Sequence, residues 1–122
     1  MNSRDTGTDW ELRAEQWLQQ RGLSSYRRNF HSRMGEIDLI MQDTDYLVFI
    51  EVRFRKSSYF GSAVETVTVQ KQRRLIRTAE YFLMQHPGLA ELPCRFDVIG
   101  IELDKNTHEP EYTWLKNAFD LS

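Results

Sequence analysis

The chain has 122 residues, 40% of them hydrophobic, 12% aromatic and 28% charged, and its sixteen Lys and Arg against eighteen Asp and Glu leave a formal charge of -2, the composition of one ordinary globular domain over residues 1–122. No apolar run approaches the roughly 18 residues of a membrane helix, and Met1-Asn-Ser-Arg-Asp5 has no apolar signal region, so a membrane span and a secretory signal are excluded and a cytoplasmic protein is expected. The single cysteine, Cys94, excludes an internal disulfide and a cysteine zinc cage, and leaves any metal to oxygen or histidine ligands.

In chain order, Thr8 and Glu11 form a T-x-x-E capping box, after which Trp10, Ala14, Trp17 and Leu18 recur at helical spacing. This predicts an amphipathic first helix ending at Gly22, where a left-handed position favours glycine. A strand over Tyr26–Phe30 follows, interrupted by arginines. Ile37–Met41 and Leu47–Val52 then flank Gln42-Asp-Thr-Asp45 and read as a hairpin. If the hairpin is centred between Thr44 and Asp45, opposite residue numbers sum to 89. Asp38 then faces Glu51, Glu36 faces Arg53, and all four share one side of the sheet. Opposed residues have Cβ atoms about 4.5–5.5 Å apart, where like charges repel, and apolar neighbours add a desolvation penalty. Two acids so placed need a proton or a cation, and a divalent metal is the simplest answer. A one-residue slip in register would put them on opposite faces.

Beyond a loop around Phe60-Gly-Ser62, Leu75, Ile76, Ala79, Phe82 and Leu83 define a second helix within Thr68–Gln85, with Thr68 as N-cap. Lys71 falls in its first turn, where the helix dipole disfavours a cation unless an anion is near. A phosphate is one such anion; a solvated lysine is the alternative. His86-Pro-Gly88 ends the helix, Phe96–Leu103 reads as a strand, and Tyr112–Leu115 as a short edge strand. The elements compose an α/β domain.

Charge is unevenly distributed along this order. Residues 21–34 carry Arg21, Arg27, Arg28 and Arg33 without an acid; residues 35–52 carry Glu36, Asp38, Asp43, Asp45 and Glu51 without a base; residues 53–77 carry Arg53, Arg55, Lys56, Lys71, Arg73, Arg74 and Arg77 against Glu65 alone. Basic walls around an acidic centre suit an enzyme that meets a polyanion through a bound cation. Solvated surface charge is the competing reading. Lys71, Arg27, Arg28, Arg55, Lys56, Arg73 and Arg74 are the candidate nucleic-acid contacts. Tyr26, Phe30, Phe54, Tyr59 and Phe60 are candidates for base stacking, with burial the favoured role for Phe30 and Phe54. His31, His86 and His108 show no metal spacing, and Asp97 is assigned a structural role.

The ordered set Gly7-x3-Glu11-x2-Ala14-x2-Trp17-Leu18, Asn29, Gly35-Glu-Ile-Asp-Leu-Ile40, Val48-Phe-Ile-Glu-Val-Arg53, Val67-x3-Lys71-Gln72 and Arg95-Phe-Asp97 resembles the YraN family of small bacterial proteins over almost the whole chain. The resemblance implies a restriction-endonuclease-like (tRNA endonuclease-like) fold of the PD-(D/E)xK type, an αβββαβ core with a mixed sheet flanked by helices, similar to Holliday-junction resolvases. It implies Asp38, Glu51 and Glu11 as metal-binding catalytic acids, with Mg²⁺ (or Mn²⁺) held by the first two and the Val52 carbonyl. The capping box explains Glu11 equally well. The implied activity is hydrolysis of phosphodiester bonds in branched or structured DNA, leaving a 5′-phosphate and a 3′-hydroxyl, with a homodimer suited to a two-strand substrate. Arg53 stands where the motif has lysine. Arginine cannot give up its proton as a buried lysine can, so Arg53 is assigned to a phosphate or to transition-state charge, Lys71 is a substitute from the second helix, or Arg53 pairs with Glu36. The alternative function is a non-catalytic nucleic-acid-binding module on the nuclease fold.

Overall fold

A computed structural model describes residues 3–55 and 67–119, with side chains from residue 9 onward in the first helix. The elements are α1 (Ser3–Gln19), β1 (Ser24–Ser32), β2 (Gly35–Asp43), β3 (Tyr46–Arg55), α2 (Val69–Gln85), β4 (Cys94–Leu103) and β5 (Pro110–Phe119), with a 3-10 turn at Leu89–Glu91. The five strands lie in sequence order in one sheet. Neighbours are antiparallel except β3 and β4, which run parallel. A parallel pair needs a crossover long enough to hold a helix, and α2 lies in it. The chain is α/β with a five-stranded mixed sheet flanked by two helices, consistent with a restriction-endonuclease-like core.

Each helix covers one face. Ala14 and Leu18 of α1 pack with Leu39, Met41, Val48, Ile50, Ile99 and Ile101. On the other face Leu75, Ala79 and Phe82 of α2 pack with Phe30, Ile37, Ile40, Phe49 and Phe96. Central β3 and β4 are therefore covered on both sides, which is why they read as continuous apolar runs rather than alternating ones. Phe82 anchors the α2 face, with its ring edge-on to Phe30 and Phe49 at 5.1 and 6.0 Å; truncating such a ring costs about 3–5 kcal/mol.

The helix ends follow local chemistry. Gly22, at φ +99°, closes α1: its N–H reaches the Gln19 carbonyl and the Leu23 N–H reaches Leu18, the paired bonds of a Schellman ending, with Leu18 and Leu23 meeting in the core. Thr68 caps α2 by accepting from the Lys71 N–H at 3.2 Å. The capping box expected at Thr8 is corrected. The helix starts at Ser3, so Thr8 lies inside it and Glu11 is released from a capping role. The short edge strand expected at Tyr112–Leu115 is likewise corrected to ten residues, Pro110–Phe119, with Trp17 of α1 stacked on Tyr112 and edge-on to Trp114.

Between β2 and β3 the register is the expected one. Leu39 pairs with Ile50 and Asp43 with Tyr46, around a two-residue turn at Thr44 and Asp45. The ladder stops at Leu39 and Ile50, one residue before the two acids.

Candidate active site

Where the ladder stops, a side chain takes over. Asp38 Oδ2 accepts the backbone N–H of Val52 at 2.8 Å, which satisfies a donor that loses its strand partner and fixes the carboxylate between β2 and β3. A break in alternation on β2 makes room for it. Leu39 packs on the α1 face and Ile37, two residues earlier, on the α2 face. On β1, Arg28 pairs with Leu39 and Phe30 with Ile37, and the intervening Asn29 is left-handed at φ 53°, a conformation Asn tolerates.

The break lets Asp38 meet an acid from each side. Glu51 hydrogen-bonds it from β3, and Glu11 from α1; the Asn29 side chain holds Glu11 in turn. Glu51 is buried at 5% exposure, with Lys71 Nζ 3.2 Å and Arg53 Nη1 3.9 Å from its Oε2. Lys71 is delivered by the first turn of α2, and the helix lies close to β2 because residue 35 is glycine. A Cβ there would stand 3.1 Å from Thr78 Oγ1 and 3.3 Å from Arg74 Cγ, at φ +145°. The acidic group that faces Lys71 at the start of α2 is thus the chain's own Glu51.

All three acids are pushed up from their ordinary pKa. Burial is the main cause for each. Glu51 moves furthest, to about 8, because the Asp38 hydrogen bond and charge add to burial and outweigh the pull of Lys71. At neutral pH Glu51 holds a proton and donates it to Asp38. Among the described residues two buried side-chain oxygens, Glu11 Oε2 and Glu51 Oε2, have no hydrogen-bond partner; the Lys71 ammonium lies 3.2 Å from the latter without hydrogen-bond alignment. Buried carboxyl oxygens without a hydrogen-bond partner are what a cation would satisfy, and an all-carboxylate donor set suits a hard divalent ion. Among the described residues no three His, Cys, Asp or Glu side chains are gathered tightly enough to hold a metal as they stand, so the acids meet here through protons.

The expected walls are less uniform than the sequence blocks. Arg28 reaches Glu15 on the α1 face at 3.5 Å, whereas Arg27 lies over Phe30, 5.0 Å from its ring centre, on the other face. Consecutive strand residues diverge in this way, so the two arginines adjoin different faces of the sheet. Arg55 lies at the end of β3, and Arg73 and Arg74 are exposed on α2. Lys56, Tyr59 and Phe60 lie outside the described residues. The acidic block also divides. Asp43 is clipped to Arg95 at 2.7 Å beside the hairpin turn, and Glu36 meets His31 at 3.0 Å. Phe30 is core; Phe54 stacks on Trp10 at 4.3 Å. His86 closes α2, bonded to the Phe82 carbonyl, and His108 is a left-handed turn residue. Asp97 is structural: buried, it accepts from Arg95, the Trp114 indole and the Asn117 N–H. Asn29 and Gly35 carry roles that the sequence reading did not assign. A positive-φ Asn opposite an aspartate is a signal visible only once the register is known.

A cleft of about 300 Å³ adjoins the acids, lined by His31, Ser32, Gly35, Glu36, Lys71 and Arg74. No helix among the described residues is long and apolar enough to cross a membrane.

The profile of the uncharacterised protein family UPF0102 matches residues 10–101. A UPF0102 protein of Alcanivorax borkumensis is 50% identical over 118 residues, covering 97% of this chain and 94% of the relative. One of Saccharophagus degradans is 49% identical over 97% and 95% of the two chains, and one of Nitrosococcus oceani 47% identical over 95% and 92%.

Proposed function

The chain belongs to the UPF0102 family, the YraN family, and from its acid cluster we propose that it is a divalent-metal-dependent endonuclease that hydrolyses phosphodiester bonds in DNA. One observation carries the reading: Glu11, Asp38 and Glu51, from three separate elements, share hydrogen bonds in a buried cluster that leaves two carboxylate oxygens orphaned. Folding has no use for such a cluster. Magnesium or manganese, when bound, supplies Lewis acidity, acidifying water and offsetting negative charge at phosphoryl oxygens.

The chain's own groups do the rest. Asp38 is held rigid by the Val52 N–H and keeps one oxygen fixed. Glu51 gives up its proton when positive charge arrives and becomes a full carboxylate. Lys71 Nζ, 3.2 Å from Glu51 Oε2, stands beside the motif acid in place of the missing motif lysine and positions the attacking water. Arg53, 3.9 Å from the same oxygen, donates to phosphoryl oxygens in the transition state.

The test is cleavage of labelled branched, flapped, single-stranded and duplex DNA in Mg²⁺ or Mn²⁺. The wild type is expected to cut at least one of these, and Asp38→Asn and Glu51→Gln to abolish cutting while binding persists. A salt-sensitive complex with no metal-dependent products would instead identify a binding module.

A further inference from the structure

Next to the acids, the cleft between the β1–β2 turn and α2 differs from a duplex-binding groove. A surface that follows a duplex meets a row of phosphates and is lined by cations throughout. Here the lining alternates in sign: Lys71 and Arg74 stand against Glu36, and His31 engages Glu36 at 3.0 Å. The two cations also differ. Lys71 is committed to Glu51. Arg74 has no carboxylate partner among the described residues, and its stem runs across Gly35, where a Cβ would touch its Cγ and Cδ at 3.3 and 3.4 Å. That packing holds an uncommitted guanidinium fork at the cleft.

We propose that this cleft is a subsite for one unpaired nucleotide, with its phosphate on the Arg74 guanidinium and its base edge against Glu36 and His31, so that single-stranded or locally unpaired DNA is the substrate. The proposal rests on the nuclease reading for the identity of its ligand. At about 300 Å³ the cleft is at the small end of ligand pockets, on the scale of one nucleotide rather than of a groove that follows a duplex. Glu36 accepts from exocyclic amino groups, and an acidic side chain in the lining is out of place against the continuous phosphate row of a duplex. Arg74 supplies the planar, forked donor that fits a single phosphate. Because Lys71 lines both the cleft and the Glu51 ion pair, a nucleotide seated there has its phosphodiester next to the acids.

The test is equilibrium binding of fluorescent oligonucleotides in Ca²⁺, which takes the place of Mg²⁺ to hold off cleavage. One sequence is presented as a single strand, a blunt duplex and a duplex with one bulged nucleotide. The single strand and the bulged duplex are expected to bind at least about tenfold tighter than the blunt duplex, since only the latter must be unpaired first. Arg74→Ala, at an exposed position on α2, is expected to weaken binding of the single strand and the bulged duplex more than that of the blunt duplex, and so to erase most of that difference. Equal affinity for the three DNAs, no binding to any of them, or an equal loss on all three in Arg74→Ala would overturn the proposal. Mn²⁺-dependent cleavage that requires Asp38 but shows no preference for unpaired DNA overturns the cleft and leaves the nuclease reading intact. A preference that requires Arg74, with no cleavage, does the reverse.

Discussion

Replacing Glu51 by Gln is expected to stabilise the metal-free protein, and to do so only above acidic pH. Folding raises the Glu51 pKa from 4.5 to about 8 through burial and the neighbouring Asp38. At about 1.4 kcal/mol per pH unit, the rise amounts to about 5 kcal/mol between the two protonation states. Between those two pKa values the folded chain binds a proton that the unfolded chain has released. Stability therefore falls as pH rises through this window and levels off above pH 8, where the charged carboxylate is fully penalised. Glutamine keeps the shape and an N–H for Asp38 but cannot ionise, so this decline disappears. Glu11 and Asp38 are also raised and give both proteins a residual slope of the same sign, so the difference between the proteins isolates Glu51. Urea denaturation with a chelator present, followed by circular dichroism at pH 5, 7 and 9, would show nearly equal stabilities at pH 5. At pH 9 the variant would be ahead by several kcal/mol. Parallel pH curves for the two proteins would refute the reasoning, because they would mean that Glu51 ionises in the fold as freely as in the unfolded chain.

Other consequences follow from the same geometry. Lys71→Ala is expected to lower cleavage by about a hundredfold or more and to leave Mn²⁺ uptake in place; loss of uptake together with cleavage would make Lys71 a structural prop of the acids instead. Gly35→Ala forces a Cβ to 3.1 Å from Thr78 Oγ1 at φ +145°, and is expected to cost about 1–3 kcal/mol in denaturant and to impair cleavage by moving α2 and Lys71 away from Glu51. Asp97→Ala removes the acceptor shared by Arg95, Trp114 and Asn117; a loss of about 3–5 kcal/mol is expected, while the remaining folded protein binds Mn²⁺ as the wild type does. A small effect in denaturation would show that Arg95 needs only Asp43.

Much of the site's geometry was legible because the hairpin encodes it. Two apolar runs around a turn-rich link fix both the register and the turn, and a sum of 89 at Leu39 and Ile50 already puts Asp38 beside Glu51. Helix α2 was legible for a similar reason, since Thr68 and the apolar stripe agree. The start of α1 was not. Ser3–Gln19 begins well before Thr8, and a chance T-x-x-E spacing inside it imitates a start. Nor could the sequence reveal how the third acid arrives. Glu11 reaches Asp38 only because alternation fails at Asn29 and Asp38, and a left-handed Asn leaves no periodic trace in one sequence. Charge blocks along the sequence do not map directly onto surfaces. Neighbours such as Arg27 and Arg28 point to opposite sides of a strand, so a basic run on a strand is not a basic surface. The length of β5 was hidden because its outward residues are polar and its aromatic ones meet α1.

The most direct test of the acid cluster as a cation site is calorimetric titration of the protein with Mn²⁺ at pH 7 in two buffers of different ionisation enthalpy. Uptake accompanied by release of about one proton is expected, because Glu51 is protonated before the ion arrives, and Asp38→Asn should abolish it. Absence of uptake at millimolar Mn²⁺, or uptake with no proton released and no dependence on Asp38, would contradict the account.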